Sequence, residues 1–479
     1  MIEKRDFYID GQWVSPAQPN DFHVIDPSTE EPCAVISLGS EADTDAAVAA
    51  AKAALPGWMA TPAAERIALV EKLIEVYKTR GEDLAQAMST EMGAPIDMSR
   101  GQQVTAGSSH LANFVKAAKN FDFEHALNES APNDRIIHEA VGVAALITPW
   151  NWPMNQIALK VGAAAIAGCT MVLKPSEQSP LNAMIFAEIM HEAGFPPGVF
   201  NLVNGDGVGV GSQLSAHPDV DMVSFTGSTR AGIAISKAAA DTVKKVHLEL
   251  GGKGANVIFA DADDKAVKRG VMHMMNNTGQ SCNAPSRMLV QREIYDRAVE
   301  TAAEVAAKVS VGNAHDEGRH IGPVVNEMQW NKIQDLIQVG IDEGARLVAG
   351  GTGRPEGLNK GFYVKPTVFA DVTNQMTIAR EEIFGPVLAM IPFDTEQDAV
   401  EIANDTPFGL TNYVQTQDGA RANRMARALR SGMVEMNGKS RSGGSPFGGM
   451  KQSGNGREGG KYGLEDFLEI KAVGGWAAE

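Results

Sequence analysis

VGVAALITPWNWP (141–153) and TMVLKPSEQSP (170–180) each begin with a short apolar run, turn polar at a proline and lead into helical sequence. Val141–Ile147 and Thr170–Leu173 are too short for helices and lack the alternation of a half-solvated strand, so they read as strands buried on both faces. After the second run, Ser179 is the expected N-cap, Pro180 the first helical residue and Gly194 the stop of a helix over Leu181–Ala193. Phe200–Val203 and Met222–Phe225 repeat the strand pattern, the latter running into GSTRAG and a helix to about Ala240. Val246–Leu250 and Ala255–Phe259 then flank the glycine pair Gly251-Gly252. Strand, crossover helix and strand in succession predict an α/β fold with a parallel sheet. A second α/β stretch is expected from about Gly251 to Glu435, with no internal repeat.

Upstream, IDGQW predicts a hairpin with Asp10-Gly11 at its turn. Asp43–Ala54 and Thr61–Thr90 have helical spacing, with Ile67, Val70, Leu73, Ile74 and Tyr77 on one face. Downstream, GGSPFGGMKQSGNGREGG (443–460) is dense enough in glycine to be either mobile or tightly wrapped, and YGLEDFLEIKAV ends in a strand-like run.

At 479 residues the chain is long for one core, and two or three domains are expected. A net charge of −17 argues against nucleic acid as a partner, because counterion release needs a basic surface. The opening MIEKRDFYIDGQW places charges where a secretion signal needs an apolar run, and no segment has the uninterrupted apolar length of a membrane span. Three cysteines, none paired as CxxC, suit a reducing cytoplasm, and no metal site is expected.

Cys282 lies in the polar segment NNTGQSCNAP, unlike Cys169, whose surroundings AIAGCTMVL read as core. Glu249 shares one face of VHLEL with His247; such a glutamate is ordinarily a solvated charge, but the following glycine pair lets another backbone come close. GSTRAG can place a phosphate at a helix N-terminus or simply make a tight turn, since it is not GxGxxG. Lys174 and Glu177, at the carboxyl end of a strand, either face a ligand crevice or form a surface ion pair.

Seven segments together resemble the aldehyde dehydrogenase superfamily, and they do so in its order: TPWNWP (148–153), KPSEQSP (174–180), FTGSTRAG (225–232), LELGGK (248–253), GQSC (279–282), EEIFGPV (381–387) and PFGGMKQSG (446–454). The resemblance implies an NAD-dependent oxidation of an aldehyde, of the hydrolytic type, with Cys282 as nucleophile, Glu249 as base and the Asn151 amide holding the carbonyl oxygen. It implies that Lys174 and Glu177 bind the adenosine ribose, that Gly227, Ser228 and Gly232 hold the pyrophosphate, and that Phe225, Gly207 and Gly211 lie near the adenine. Glu382 and Phe384 are similar to the pair that positions the nicotinamide ribose and ring, with Ile147, Thr148, Trp150 and Leu250 also cofactor-facing. Trp152 and Phe447 fall where the family lines its substrate tunnel.

The same resemblance implies a Rossmann-like cofactor domain (1–120 and 141–250), a catalytic domain (251–440) and a small β flap with a C-terminal strand (121–140 and 441–479) that joins a homodimer or homotetramer. NAD is expected to be preferred over NADP, because a carboxylate at Glu177 accepts ribose hydroxyl protons and repels a phosphate. A CoA-acylating semialdehyde enzyme disagrees with the presence of Glu249, and a non-enzymatic scaffold disagrees with intact Cys282, Glu249 and Asn151. Asn276 stands where succinate-semialdehyde enzymes carry arginine, so succinate semialdehyde is not expected. Lys439 and Arg441 in the expected tunnel-mouth loop either point to solvent or attract an anionic substrate.

Overall fold

The computed structural model describes residues 1–476. Its largest sheet has eight strands, in the order Gly454–Asn455, Lys245–Glu249, Met222–Thr226, Val143–Ile147, Thr170–Lys174, Phe200–Leu202, Phe7–Ile9 and Gln12–Val14. The five middle strands are parallel. They are buried almost throughout, which is why they read as apolar runs without alternation. From Val143–Ile147 the chain goes first to one side of the sheet and then, with Met222–Thr226, to the other. That reversal opens a crevice beyond the carboxyl ends of these two strands, where open α/β sheets bind ligands.

A second sheet of seven strands spans Ala255–Ile258 to Met433–Met436, parallel except for Arg346–Ala349 at one edge. A three-stranded antiparallel sheet joins Glu124–Asn128, Ala131–Ala140 and Leu468–Val473. Another small sheet holds Ile2–Lys4, Asp21–Asp26 and Glu31–Ser37. The glycine-rich tail is wrapped: Gly454–Asn455 pairs with Lys245–Glu249 in the first sheet, the helix Gly460–Asp466 packs on the helices Val104–Ala118 and Pro153–Ala167, and Leu468–Val473 joins the small sheet. Residues 477–479 of the expected flap segment lie outside the described residues.

The hairpin forms as its residues predict, with Asp10 and Gly11 both at positive φ. The helical stretch expected over Thr61–Thr90 is two helices, Ala63–Thr79 and Gly81–Met92, divided at Arg80. Ile67, Val70, Leu73 and Tyr77 are buried as a stripe, as their spacing requires.

The start of the helix Leu181–Ala193 differs from expectation. Pro180 is its N-cap, and Ser179 Oγ is buried with no hydrogen-bond partner among the described residues. The free N–H groups go instead to a distant carboxylate. Glu91, on the helix Gly81–Met92, accepts from Leu181 N at 2.6 Å and Asn182 N at 3.0 Å. A short-range cap motif cannot reveal a cap supplied from ninety residues upstream. Burial pushes the Glu91 carboxyl up to about 7. Glu91→Ala should lower stability by about 2 kcal/mol, because it strands buried backbone donors. Since the folded state holds this proton at pH values where the unfolded chain has released it, the wild-type advantage should narrow as pH rises from about 4.5 to 7. Thermal melts of both proteins across that range check the size and the direction.

Candidate active site

Four chain segments converge beyond the carboxyl ends of the first sheet. The loop after Val143–Ile147 carries Asn151, which is buried and donates from Nδ2 to the Gln280 carbonyl at 2.9 Å. Its own backbone carbonyl accepts from Asn277 Nδ2 at 2.9 Å and Gln103 Nε2 at 3.1 Å. These contacts fix the amide and leave its second N–H for a ligand.

Cys282 follows a tight turn, Asn276–Gly279, in which Asn277 and Thr278 have left-handed backbones. Such strain persists only where neighbours hold it. Here both residues are buried, and Thr278 Oγ1 donates to the Gly322 carbonyl at 3.0 Å. Cys282 is half-buried. Burial and the Glu382, Glu249 and Glu458 carboxylates push its thiol well above the usual range.

The glycine pair after Glu249 explains how the two sheets meet. A Cβ on Gly252 would lie 2.3 Å from the Cys282 carbonyl oxygen, and one on Gly251 would lie 2.5 Å from a Glu382 carboxylate oxygen. Gly252 N donates to Glu382 Oε1 at 2.8 Å. Only a bare backbone allows both approaches.

Glu249 is buried rather than solvated, since both faces of its strand are covered. Neither carboxylate oxygen has a hydrogen-bond partner among the described residues. Burial pushes its carboxyl above the ordinary carboxylate range, against the pull of His247.

One cavity of about 210 Å³ is lined by Trp150, Asn151, Gly227, Ser228, Glu249, Leu250, Cys282, Glu382 and Phe384, all sequence-predicted site residues. Phe384 has a left-handed backbone held by Gln329 Nε2, which donates to the Ile383 and Phe384 carbonyls. Its ring meets Trp150 edge-on, with centroids 5.5 Å apart. Pro149, Gln156, Thr226, Gly251, Gln329 and Lys332 complete the wall. Sequence reading passed over Gln329 and Lys332, which lie on a helix without motif, Glu327–Asp342.

The other predicted cofactor positions lie outside this cavity wall. Ile147 and Phe225 are buried at neighbouring strand ends, and Thr148 N donates to the Lys174 carbonyl at 3.1 Å. Gly232 packs on Leu250, and the wall residue Ser228 caps the helix Thr229–Ala239 that carries it. Gly207 and Gly211 bound a turn capped by Asp206. Lys174 and Glu177 are no surface ion pair. The lysine is buried, donates to the Pro175 and Gly205 carbonyls at 2.8 and 2.6 Å, and lies 3.7 Å from the more exposed Glu177.

Of the two predicted substrate residues, neither lines this cavity; Trp152 Nε1 donates to Ser281 Oγ, next to Cys282, at 2.7 Å. Phe447 stacks under the Arg441 guanidinium, 5.2 Å from the ring centroid. Arg441 donates to Glu435 Oε1 at 3.0 Å and to the Pro446 carbonyl at 3.1 Å, so its charge is already matched. Lys439 is exposed.

Behind Glu249 is a group of charges that sequence reading did not assemble. Lys160, fully buried, pairs with Glu458 at 2.7 Å and donates to Ser224 Oγ at 3.0 Å. His247 stands between Glu249 and Asp466. One signal was available: Lys160 is the lone charge in the apolar helix Pro153–Ala167, and a buried lysine needs a partner.

Two α/β units, each built on a largely parallel sheet, bring a half-buried cysteine and a buried carboxylate to the wall of one cavity. The aldehyde dehydrogenase family model matches residues 13–473, and the chain belongs to that family of oxidoreductases acting on aldehydes. It is 51% identical over 478 residues to a 3-succinoylsemialdehyde-pyridine dehydrogenase of a Pseudomonas species, covering 99% of both chains. The crystal structure of an aldehyde dehydrogenase from Bartonella henselae superposes with a TM-score of 0.99 at 60% identity, covering 99% of this chain and 100% of that one. Aldehyde dehydrogenase C from Pseudomonas syringae, a mutant crystallised with NAD+ and octanal, gives 0.97 at 48% identity, covering 99% and 97%. Among the described residues no helix is long and apolar enough to cross a membrane.

Proposed function

We propose that this chain oxidises a neutral aldehyde to its carboxylic acid with NAD, through a thioester on Cys282 that Glu249 helps water to hydrolyse. The observation that carries the reading is the single cavity shared by Cys282, Asn151 and Glu249 with Glu382 and Phe384. Cys282 Sγ first releases its proton to water and attacks the aldehyde carbon as the thiolate, and the Asn151 amide and the Cys282 backbone N–H steady the oxygen as it gains charge. When bound, NAD supplies a nicotinamide ring that accepts the hydride from that carbon. Glu249 then takes a proton from water as its oxygen attacks the thioester, and the Cys282 thiolate leaves. The buried oxygens of Glu249, free of protein partners among the described residues, suit contact with water.

The residues present fit a dinucleotide. Glu382 and Phe384 are held in place from Gly252, Gln329 and Lys332, and they would take the nicotinamide end. Ser228 and the start of the helix Thr229–Ala239 would meet the phosphates. Glu177, whose carboxylate is not consumed by a hydrogen bond to Lys174, would take the adenosine ribose.

The matched charge of Arg441 supports a neutral substrate over an anionic one. The names of two relatives point the same way, since octanal and a pyridine semialdehyde carry no carboxylate. Assembly into a dimer or tetramer is supported by the strand Leu468–Val473, an open sheet edge that exposes Ile470 at 70%. Three free cysteines support a reducing, cytoplasmic setting.

Cys282→Ala should lose all but about 0.1% of the oxidation rate and still bind NAD, measured by NADH formation and by calorimetry. Glu249→Gln should keep the first-turnover burst of NADH while the steady rate falls about 100-fold. A lost burst would mean that Glu249 also generates the thiolate. Glu177→Gln should reduce the NAD-over-NADP ratio of kcat/KM by about tenfold, which is about 1.4 kcal/mol; an unchanged ratio removes Glu177 from the ribose site. Ile470→Glu should lower the mass seen by light scattering, and an unaltered mass would place the subunit contact elsewhere.

A further inference from the structure

His247 is buried beside Glu249, two residues earlier on the same strand face. Its Nε2 lies 3.6 Å from Glu249 Oε1, and its Nδ1 lies 3.1 Å from Asp466 Oδ2. The imidazole thus lies at ion-pair distance from two carboxylates, one fully interior and one whose side chain is 25% exposed, with no hydrogen-bond partner on either ring nitrogen among the described residues. A neutral ring has one N–H and can serve only one of the two carboxylates, whereas an imidazolium has an N–H for each, and a buried cation is tolerated only when paired.

The surroundings are built for that pairing. Arg457 N donates to Asp466 Oδ2 at 2.7 Å, which fixes the carboxylate toward the ring. Gly456 lies flat against both: a Cβ there would come within 2.8 Å of Asp466 Oδ2 and 3.1 Å of the imidazole. Across the strand, Ser224 is in register with His247 and accepts from Lys160.

The charges facing the ring come from every neighbouring element. Lys160 lies on the helix Pro153–Ala167, Glu458 and Arg457 on the glycine-rich tail, Asp466 on the helix Gly460–Asp466, and Lys245 and Glu249 on the ring's own strand. Arg457 spends its guanidinium on the Gly449 and Gly456 carbonyls, and Lys245 faces Glu469. Lys160 and Glu458 neutralise each other at 2.7 Å. That leaves His247 as the cation within reach of Glu249.

We propose that His247 is a positioning residue for Glu249: placed as an imidazolium between Asp466 and Glu249, it draws the buried base toward its ionised form against the push of burial and keeps Oε1 on its own side, so that the other oxygen is free for water. This rests on Glu249 acting as the base for hydrolysis. Burial opposes charge on the ring, but the Asp466 and Glu249 carboxylates prevail and raise it to about 9. The imidazolium is therefore present across the neutral range and is lost as pH rises through about 9.

The test is the pH profile of the steady, hydrolysis-limited rate in the full-length enzyme, with the NADH burst recorded in the same traces. In His247→Gln the acid limb should move up by about 1 to 3 pH units, the shift expected when an opposite charge is removed from contact. The rate on that limb should fall about tenfold for each unit, while the burst survives. Asp466→Asn, at a partly exposed position, should move the limb the same way by less, and it carries the test if His247→Gln yields no burst. An acid limb that stays in place in the variants that retain a burst overturns the role of His247 and leaves Glu249 as base untouched. A steady rate in Glu249→Gln equal to wild type would instead remove the base itself, and the inference with it.

Discussion

The active centre depends on a steric condition at Gly251 and Gly252. The first sheet delivers Glu249 at the end of a strand, and the second delivers Cys282 from a strained turn. The two reach a common cavity because Gly251 and Gly252, beyond Leu250, have no side chains to keep the Glu382 carboxylate and the Cys282 carbonyl away. Any larger residue at Gly252 would have to displace the backbone of Cys282 itself. The cost would fall on the geometry of the Cys282 thiol, the proposed nucleophile, where displacements of about 1 Å matter most. Much of the surrounding hydrogen bonding serves the same end, with Gln280, Asn277 and Gln103 locking Asn151 from behind.

The buried charges behind that centre are arranged in pairs. Lys160 answers Glu458, and His247 lies between Asp466 and Glu249, whose carboxylate oxygens have no hydrogen-bond partner among the described residues. Removing one member of such a pair leaves an uncompensated charge in a poor solvent, typically a loss of about 3–5 kcal/mol. The cluster is therefore weak as a source of stability and strong as a constraint on which residues can occupy it. The same logic applies to Arg441, where Glu435 cancels the guanidinium and the Phe447 ring packs against it.

Much of the parallel sheet was legible because its strands are covered on both faces and read as unbroken apolar runs, from Val143–Ile147 to Met222–Thr226. The hairpin at Asp10-Gly11 was legible because its turn chemistry is local. What escaped was non-local. Glu91 caps a helix that begins ninety residues later, and no window around Ser179 contains that information. Arg80 divides a stretch whose apolar spacing runs through without a break. Among site residues, Cys282 and Asn151 stand in distinctive segments, while Gln329 and Lys332 enter the cavity wall from a helix of ordinary composition. His247 was noted only as the neighbour of Glu249; its meaning depends on Asp466, more than two hundred positions away.

The tail that supplies Asp466 continues, after Phe467 alone, into the strand Leu468–Val473, paired antiparallel to Ala131–Ala140 from Leu468↔Ala140 to Val473↔Arg135. Ladder pairing is quantised: one step along a strand is about 3.4 Å and turns every side chain to the opposite face. That step exceeds the 3.1 Å between Asp466 and the imidazole. The small sheet therefore acts as a length gauge for the interior, and a slip of a single rung at the periphery would be felt as a lost ion pair at the base.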